Sequence, residues 1–153
     1  VAQGHPLVTL EHCSLEAIAE YSIVTYTTGF TGRSKLDEAF SDRGLTPRVV
    51  FTAVDSDVIK TYVRLGLGIG LIAGMAYDLP LDSDLVKIDA SHLFASSVTS
   101  LGFRKGTFLR GYMRDLIHAL APHPGRDLVQ EALSRAKLTD RIALYEGIEL
   151  PEH

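Results

Sequence analysis

Tryptophan is missing and cysteine occurs once, at Cys13, so no disulfide forms within the chain and packing has to hold the fold together. A single thiol also favours a reducing compartment over an oxidising one. No apolar run approaches the roughly 18–20 residues that a membrane helix needs. No charged start followed by an apolar stretch reads as a secretory leader. Basic charge is scarce too: 15 Lys and Arg stand against 19 Asp and Glu, a formal net charge of −4. That balance gives no basic stripe of the kind that grips a phosphate backbone. With 46% hydrophobic residues, 13 Gly and only 6 Pro, intrinsic disorder is excluded as an overall description.

What is there fits one domain with a core of its own, since the chain has 153 residues. It opens Val1-Ala2-Gln3-Gly4-His5-Pro6-Leu7 without a Met, which reads as a turn inside a longer protein, so a fragment is expected. Short apolar stretches alternate with amphipathic ones. Ser14 is a suitable N-cap for a helix over Leu15–Glu20, followed by a strand over Ile23–Tyr26. The loop from Thr27 to Gly32 leads into a helix over 34–41, with Gly44 as its stop and Pro47 beyond. Val49–Val54 predicts a strand. Asp55 or Ser56 caps the next helix, whose apolar side is Val58, Ile59, Tyr62, Val63 and Leu65 and whose stop is Gly66. Gly68–Ile72 predicts a short buried strand, and Leu85–Ile88 and Val98–Phe103 two more. Helices are predicted over Phe108–Leu120 and Arg126–Lys137, and Thr139–His153 is left unassigned. Alternating strands and helices with short joints mean an α/β fold with a largely parallel sheet.

The most suggestive segment is Tyr26-Thr27-Thr28-Gly29-Phe30-Thr31-Gly32-Arg33-Ser34. It joins a strand to a helix, where open α/β sheets place their ligand crevice. Two glycines free the backbone to turn its amides inward, the helix start adds unpaired N–H groups, and three threonines offer hydroxyls. Two readings stand level on the residues alone: a cradle for sulfate, phosphate or a carboxylate, or a Thr/Gly-rich turn with a satisfied cap. Gly66-Leu67-Gly68-Ile69-Gly70 superficially suggests dinucleotide binding, but those glycines follow a helix and open a strand, the reverse of the required order. A helix stop and close packing explain them better.

Catalytic and metal chemistry find little support. The six histidines, His5, His12, His92, His118, His123 and His153, show no i, i+4 pair on a helix and there is no Cys-x-x-Cys. No Gly-x-Ser-x-Gly elbow occurs. Cys13 and His12 are neighbours whose side chains point to opposite faces of an extended segment. Asp55, Ser56 and Asp57 read as helix-start acids, and Arg104, Lys105, Arg110 and Arg114 as a solvated basic face. No catalytic residue, metal or cofactor is assigned.

Thr25–Ser34, Gly44–Ala53, Asp57–Gly68 and the pieces Gly102-Phe103-Arg104 and Thr107-Phe108-Leu109-Arg110 resemble the CysB-like branch of the LysR-type transcriptional regulators, which activate cysteine-biosynthesis genes. The resemblance extends to the closing Leu150-Pro151-Glu152. The Thr-Gly-Phe-Thr-Gly-Arg-Ser loop is specific to that branch; the helix–Gly-Leu-Gly–strand pattern is shared more widely. The implied fold is a periplasmic-binding-protein-like effector domain of two α/β subdomains around a cleft. Residues 1–104 would be the second subdomain and 105–153 the returning part of the first. The winged helix-turn-helix and the opening half of the first subdomain, with further anion contacts, would lie outside this chain. Lys105–Ala136 would then present an apolar face. The implied effectors are O-acetylserine or N-acetylserine, with sulfate or thiosulfate as ligand or anti-inducer. Thr31 would contact the anion, with Thr27, Gly29, Phe30 and Gly32 shaping the loop. The implied setting is a cytoplasmic homo-oligomer, dimer or tetramer, that reaches promoter DNA only through the domain outside this chain. Two other readings remain: a sulfate-type solute-binding protein, or an enzyme using the loop as an anion cradle with Ser34, Asp55 or Asp57 as its base or nucleophile.

Overall fold

The computed structural model describes residues 1–97, 101, 102, 104, 108–122, 124–135 and 137–148. The chain forms two compact units, Val1–Val98 and Thr99–His153.

The first unit is built on a three-stranded parallel sheet of β1 (Ile23–Tyr26), β2 (Val49–Ala53) and β3 (Ile69–Leu71), in the order β2-β1-β3. β1 is the centre, and Ile23, Val24 and Thr25 are all buried, as expected of a strand covered on both faces. Edge strand β2 instead alternates between half-buried and exposed positions. Helix α1 (Leu15–Ala19) precedes β1, α2 (Thr31–Asp42) joins β1 to β2, and α3 (Ser56–Arg64) joins β2 to β3. The first crossover runs from the central strand to one edge, and the second runs back across the centre to the other edge. With the usual right-handed connection this puts α2 and α3 on opposite faces of the sheet. The core agrees: Leu36 and Phe40 of α2 cluster with Leu7, Cys13, Leu15, Ile18, Ile23 and Ile69. The buried pair Ile59 and Val63 of α3 stands outside that cluster.

Helices α1 and α3 have side-chain caps, and α2 and α3 end on glycine. Ser14 caps α1 by accepting from the Ala17 N–H at 3.2 Å, and Asp55 caps α3 by accepting from the Asp57 N–H at 2.6 Å. α2 and α3 both end on a left-handed glycine, Gly44 at φ 65° and Gly66 at φ 77°. At the first, the amides of Gly44 and Leu45 donate to Ser41 and Phe40 carbonyls; at the second, those of Gly66 and Leu67 donate to Val63 and Tyr62. These are paired reverse bonds that satisfy the last carbonyls of a helix. Gly68 is needed for contact: a Cβ there would lie 2.1 Å from the Ser22 carbonyl oxygen. The glycine run is therefore a stop followed by close packing.

Two expectations for this unit need correction, and a third falls largely outside the described residues. α2 starts at Thr31 and not at Ser34, so Thr31, Gly32 and Arg33 form its first turn. Leu85–Ile88 is not a strand of the sheet; Leu85 makes one antiparallel bridge to Ala2, with Val1 and Val86 exchanging backbone bonds beside it. In the strand expected at Val98–Phe103, residues Val98, Thr99, Ser100 and Phe103 lie outside the described residues, and Leu101 and Gly102 are in no strand.

The second unit contains α4 (Gly111–Leu120), α5 (Arg126–Ser134) and α6 (Leu138–Ala143). α4 begins three residues later than expected, because Arg110 is extended. α5 ends at Ser134, with Arg135 extended after it, and α6 follows where no regular element was assigned. Leu109, Ile117 and Ala132 are buried here. Phe108, Tyr112, Leu116 and Leu120, spaced four apart, are exposed, the apolar face expected of this region. Lys105 of the expected basic face lies outside the described residues, while Arg104 and Arg110 are exposed and Arg114 bonds Gln130 at 3.5 Å. No helix among the described residues is long and apolar enough to cross a membrane.

Candidate functional site

All three parallel strands deliver their following loops to one edge of the sheet. The loop that follows the central strand β1 opens there, at the carboxyl end of the strands, where an open α/β sheet places its ligand crevice. The β1 loop is Thr27–Phe30. Thr27 is anchored by its N–H to the Ala53 carbonyl at 3.0 Å, extending the β1–β2 ladder by one residue. Gly29 then turns the chain at φ 97°, a conformation that favours glycine. Phe30 occupies the cap position of α2, and its carbonyl accepts from the amides of Arg33 and Ser34 at 3.0 and 3.1 Å.

Phe30 has no side-chain oxygen with which to cap, and the first turn of α2 holds no acidic residue. Among the described residues, nothing accepts from the amides of Thr28, Gly29, Thr31 and Gly32, nor do the hydroxyls of Thr27, Thr28 and Thr31 form hydrogen bonds. The positive end of a 12-residue helix therefore faces solvent with its donors unspent. α3 offers a control within the same sheet edge: Asp55 caps it and Asp57 sits in its first turn, so its positive end is already answered. Arg33, the cation nearest the α2 start in sequence, is engaged with Asp37 at 2.9 and 3.0 Å. Donors collected in one place without an acceptor suit an oxyanion.

The five expected loop residues, Thr27, Gly29, Phe30, Thr31 and Gly32, are consecutive but for Thr28. They divide between the loop and the helix start. Tyr26, which the sequence reading did not single out as a site residue, joins them. Its ring stacks on Phe30, with centroids 6.2 Å apart and planes 15° from parallel. It also lies against Gly32, where an added Cβ would come within 3.2 Å of the Tyr26 Cδ2. Its hydroxyl reaches across to accept from the Ala73 N–H beyond β3 at 3.3 Å. The signal available in sequence was an aromatic at a strand end four residues before another, which is too common to choose from.

The residues expected to serve an enzyme are otherwise occupied. Ser34 Oγ donates weakly to the Phe30 carbonyl at 3.5 Å, Asp55 is the α3 cap, and Asp57 pairs with Lys60 at 2.8 Å.

Away from the loop, the sequence reading also missed a buried ionic cluster. Lys60 lies between the core positions Ile59 and Val63, and its Nζ meets Asp82 at 2.8 Å and donates to the Ala76 carbonyl at 3.0 Å. Arg64 adds a bond to the other oxygen of Asp82 at 2.8 Å and a two-pronged pair with Asp84 at 2.7 and 2.9 Å. Asp82 is only 2% exposed. The Asp78 N–H, then Lys60 and Arg64, hold its carboxyl well below the usual carboxylate range. Bonds to Asp57 and Asp82 raise Lys60 above the usual amine range. The cluster clamps residues 76–84 onto α3 and is structural. A cavity lined by Arg114, Ile117, His118, Ala121, Gly125 and Val129 belongs to the second unit.

Residues 1–125 match the family model described as the LysR substrate binding domain. The HTH-type transcriptional regulator CysB of Haemophilus influenzae is 50% identical over 150 residues, covering 98% of this chain and 46% of that protein. The regulator SsuR of Burkholderia cenocepacia is 57% identical over 123 residues, covering 80% of this chain and 40% of that protein. The chain thus spans less than half the length of these relatives. The crystal structure of the cofactor-binding domain of the Cbl transcriptional regulator superposes with a TM-score of 0.80 at 36% identity, covering 89% of this chain and 60% of that one. The parallel sheet with flanking helices in this chain agrees with the α/β architecture expected of a periplasmic-binding-protein-like effector domain. The chain belongs to the LysR substrate-binding-domain family.

Proposed function

We propose that this chain is the effector-sensing part of a LysR-type regulator of sulfur assimilation and cysteine-biosynthesis genes. The effector is an acetylserine, sulfate or both, held at the Thr27–Gly32 segment. The observation that carries this is the donor-only start of α2: four amides without acceptors among the described residues, no side-chain cap and no acidic residue in the first turn. The names of the relatives, CysB, SsuR and Cbl, support the sulfur setting. An acetylserine carboxylate and sulfate present the same oxyanion chemistry to those donors. Thr31 adds a hydroxyl at the first helical position, and Gly29 and Gly32 keep the approach clear.

In this reading residues 1–104 are the second subdomain and 105–153 return to the first. The rest of the first subdomain closes the cleft from outside this chain, and the protein assembles as a homo-oligomer in the cytoplasm. Effector binding favours one arrangement of the subdomains, and the assembly passes that preference to DNA-binding heads.

The test is calorimetric titration of sulfate, N-acetylserine and O-acetylserine into the full-length protein and its Thr31→Ala variant. Removing a hydroxyl that bonds a charged ligand costs about 1.5–3 kcal/mol, or roughly ten- to a hundredfold in affinity. Undiminished binding by the variant would move the site elsewhere, and no binding of any of the three by the parent would refute the sulfur assignment.

A further inference from the structure

The Tyr26 hydroxyl accepts the Ala73 N–H at 3.3 Å, and among the described residues nothing accepts its own proton. Its ring is fixed on two sides, by Phe30 at 6.2 Å between centroids and by the first turn of α2 at Gly32. These constraints put a phenol O–H between the first turn of α2 and the segment after β3, at the carboxyl ends of the paired strands β1 and β3. A hydroxyl has one proton to give and two lone pairs. Here one lone pair is used in holding the ring, and the proton is left over beside a helix start that is itself rich in donors.

We infer that Tyr26 is a further effector-binding residue, whose O–H donates to the bound oxyanion while its oxygen holds Ala73. This rests on the reading of the Thr27–Gly32 segment as the effector site. The division of labour is chemical. The α2 amides supply fixed partial charge, and Tyr26 supplies a neutral donor from the strand itself, linking the effector to the β3 side of the crevice. A donor in that place selects for a ligand oxygen and against an amine or an apolar group, because an amine would leave the proton opposed by another donor.

Two substitutions in the full-length protein separate this role from a structural one. Tyr26→Phe keeps the stacked ring and deletes the hydroxyl. Replacing Tyr26 with a fluorinated tyrosine that ionises near neutral pH keeps an oxygen able to accept from Ala73, but removes its proton as pH rises. Calorimetry with sulfate and with N-acetylserine should show Tyr26→Phe weakened about tenfold or more. The fluorinated protein should bind as the parent below the phenol's ionisation and progressively more weakly above it. The parent should show no such fall around neutrality. Loss for sulfate alone or for N-acetylserine alone identifies which oxyanion the hydroxyl meets. A fluorinated protein with pH-independent affinity overturns the inference even if Tyr26→Phe is weakened or fails to fold, since the hydroxyl would then act only through Ala73. Parent binding that is lost in Thr31→Ala but kept in Tyr26→Phe also overturns it while sparing the site. No binding by the parent overturns both.

Discussion

The two units solve the burial problem differently. In Val1–Val98 a parallel sheet is covered on both faces, and its central strand has three consecutive buried residues. Within Thr99–His153 the described elements are helices, and α4 buries Ile117 while leaving Tyr112, Leu116 and Leu120 exposed. A sheet strand covered on both sides converts nearly every apolar residue into core. A helix with one covered side leaves half of its apolar pattern for something else. The periodicity of α4 alone did not reveal this, since it gives the spacing of apolar residues but not how many of them find partners.

Truncation is the sharpest way to break the comparison. Phe40, 0% exposed in the core of the first unit, should lose about 3–5 kcal/mol of unfolding free energy on Phe40→Ala, measured by urea denaturation. The Asp82→Asn variant tests whether the first unit also depends on charge. It weakens the attraction that balances Lys60 and Arg64, and an unbalanced buried charge is destabilising, so a lower melting temperature is expected at neutral pH. The carboxyl of Asp82 is depressed in the folded state, so its stabilisation is complete above the unfolded value of about 3.9. It is lost as pH falls through the lower folded value. The gap between parent and variant should therefore be constant near neutrality and close only in strong acid. A gap already closing near pH 6 would mean that Asp82 does not bear the charge inferred here. Leu116→Ser should do least. With 59% of the residue exposed, its effect on unfolding should stay within about 0.5 kcal/mol, and a larger loss would show that the α4 face is covered in solution.

Much of the first unit was legible in the residues. Ser14 marked the start of α1, Ile23–Tyr26 was the strand as read, and Gly44 and Gly66 marked the helix stops, because caps and left-handed turns are local chemistry. The start of α2 was not legible. Phe30 is a poor cap, and Thr31-Gly32-Arg33 looks like loop, so no local capping chemistry marks that first turn. Leu85–Ile88 has the composition of a strand, but the partner it finds is the two-residue stretch Val1–Ala2. The Lys60–Asp82 pair spans 22 positions, and no periodicity reports a contact of that range. The candidate loop was chosen from its glycines and threonines. Tyr26 was not singled out, because its bond to Ala73 spans 47 positions and only the fold brings the two together.

The glycine-closed joints at Gly44 and Gly66 have a consequence for how such a scaffold diversifies. They lie at the edge opposite the Thr27–Phe30 loop and fix where β2 and β3 enter the sheet. A change of sequence in that loop then has little leverage on the strands. On the reading of that loop as the effector site proposed above, two relatives can keep one skeleton and answer to different ligands by rewriting a handful of residues at the upper edge.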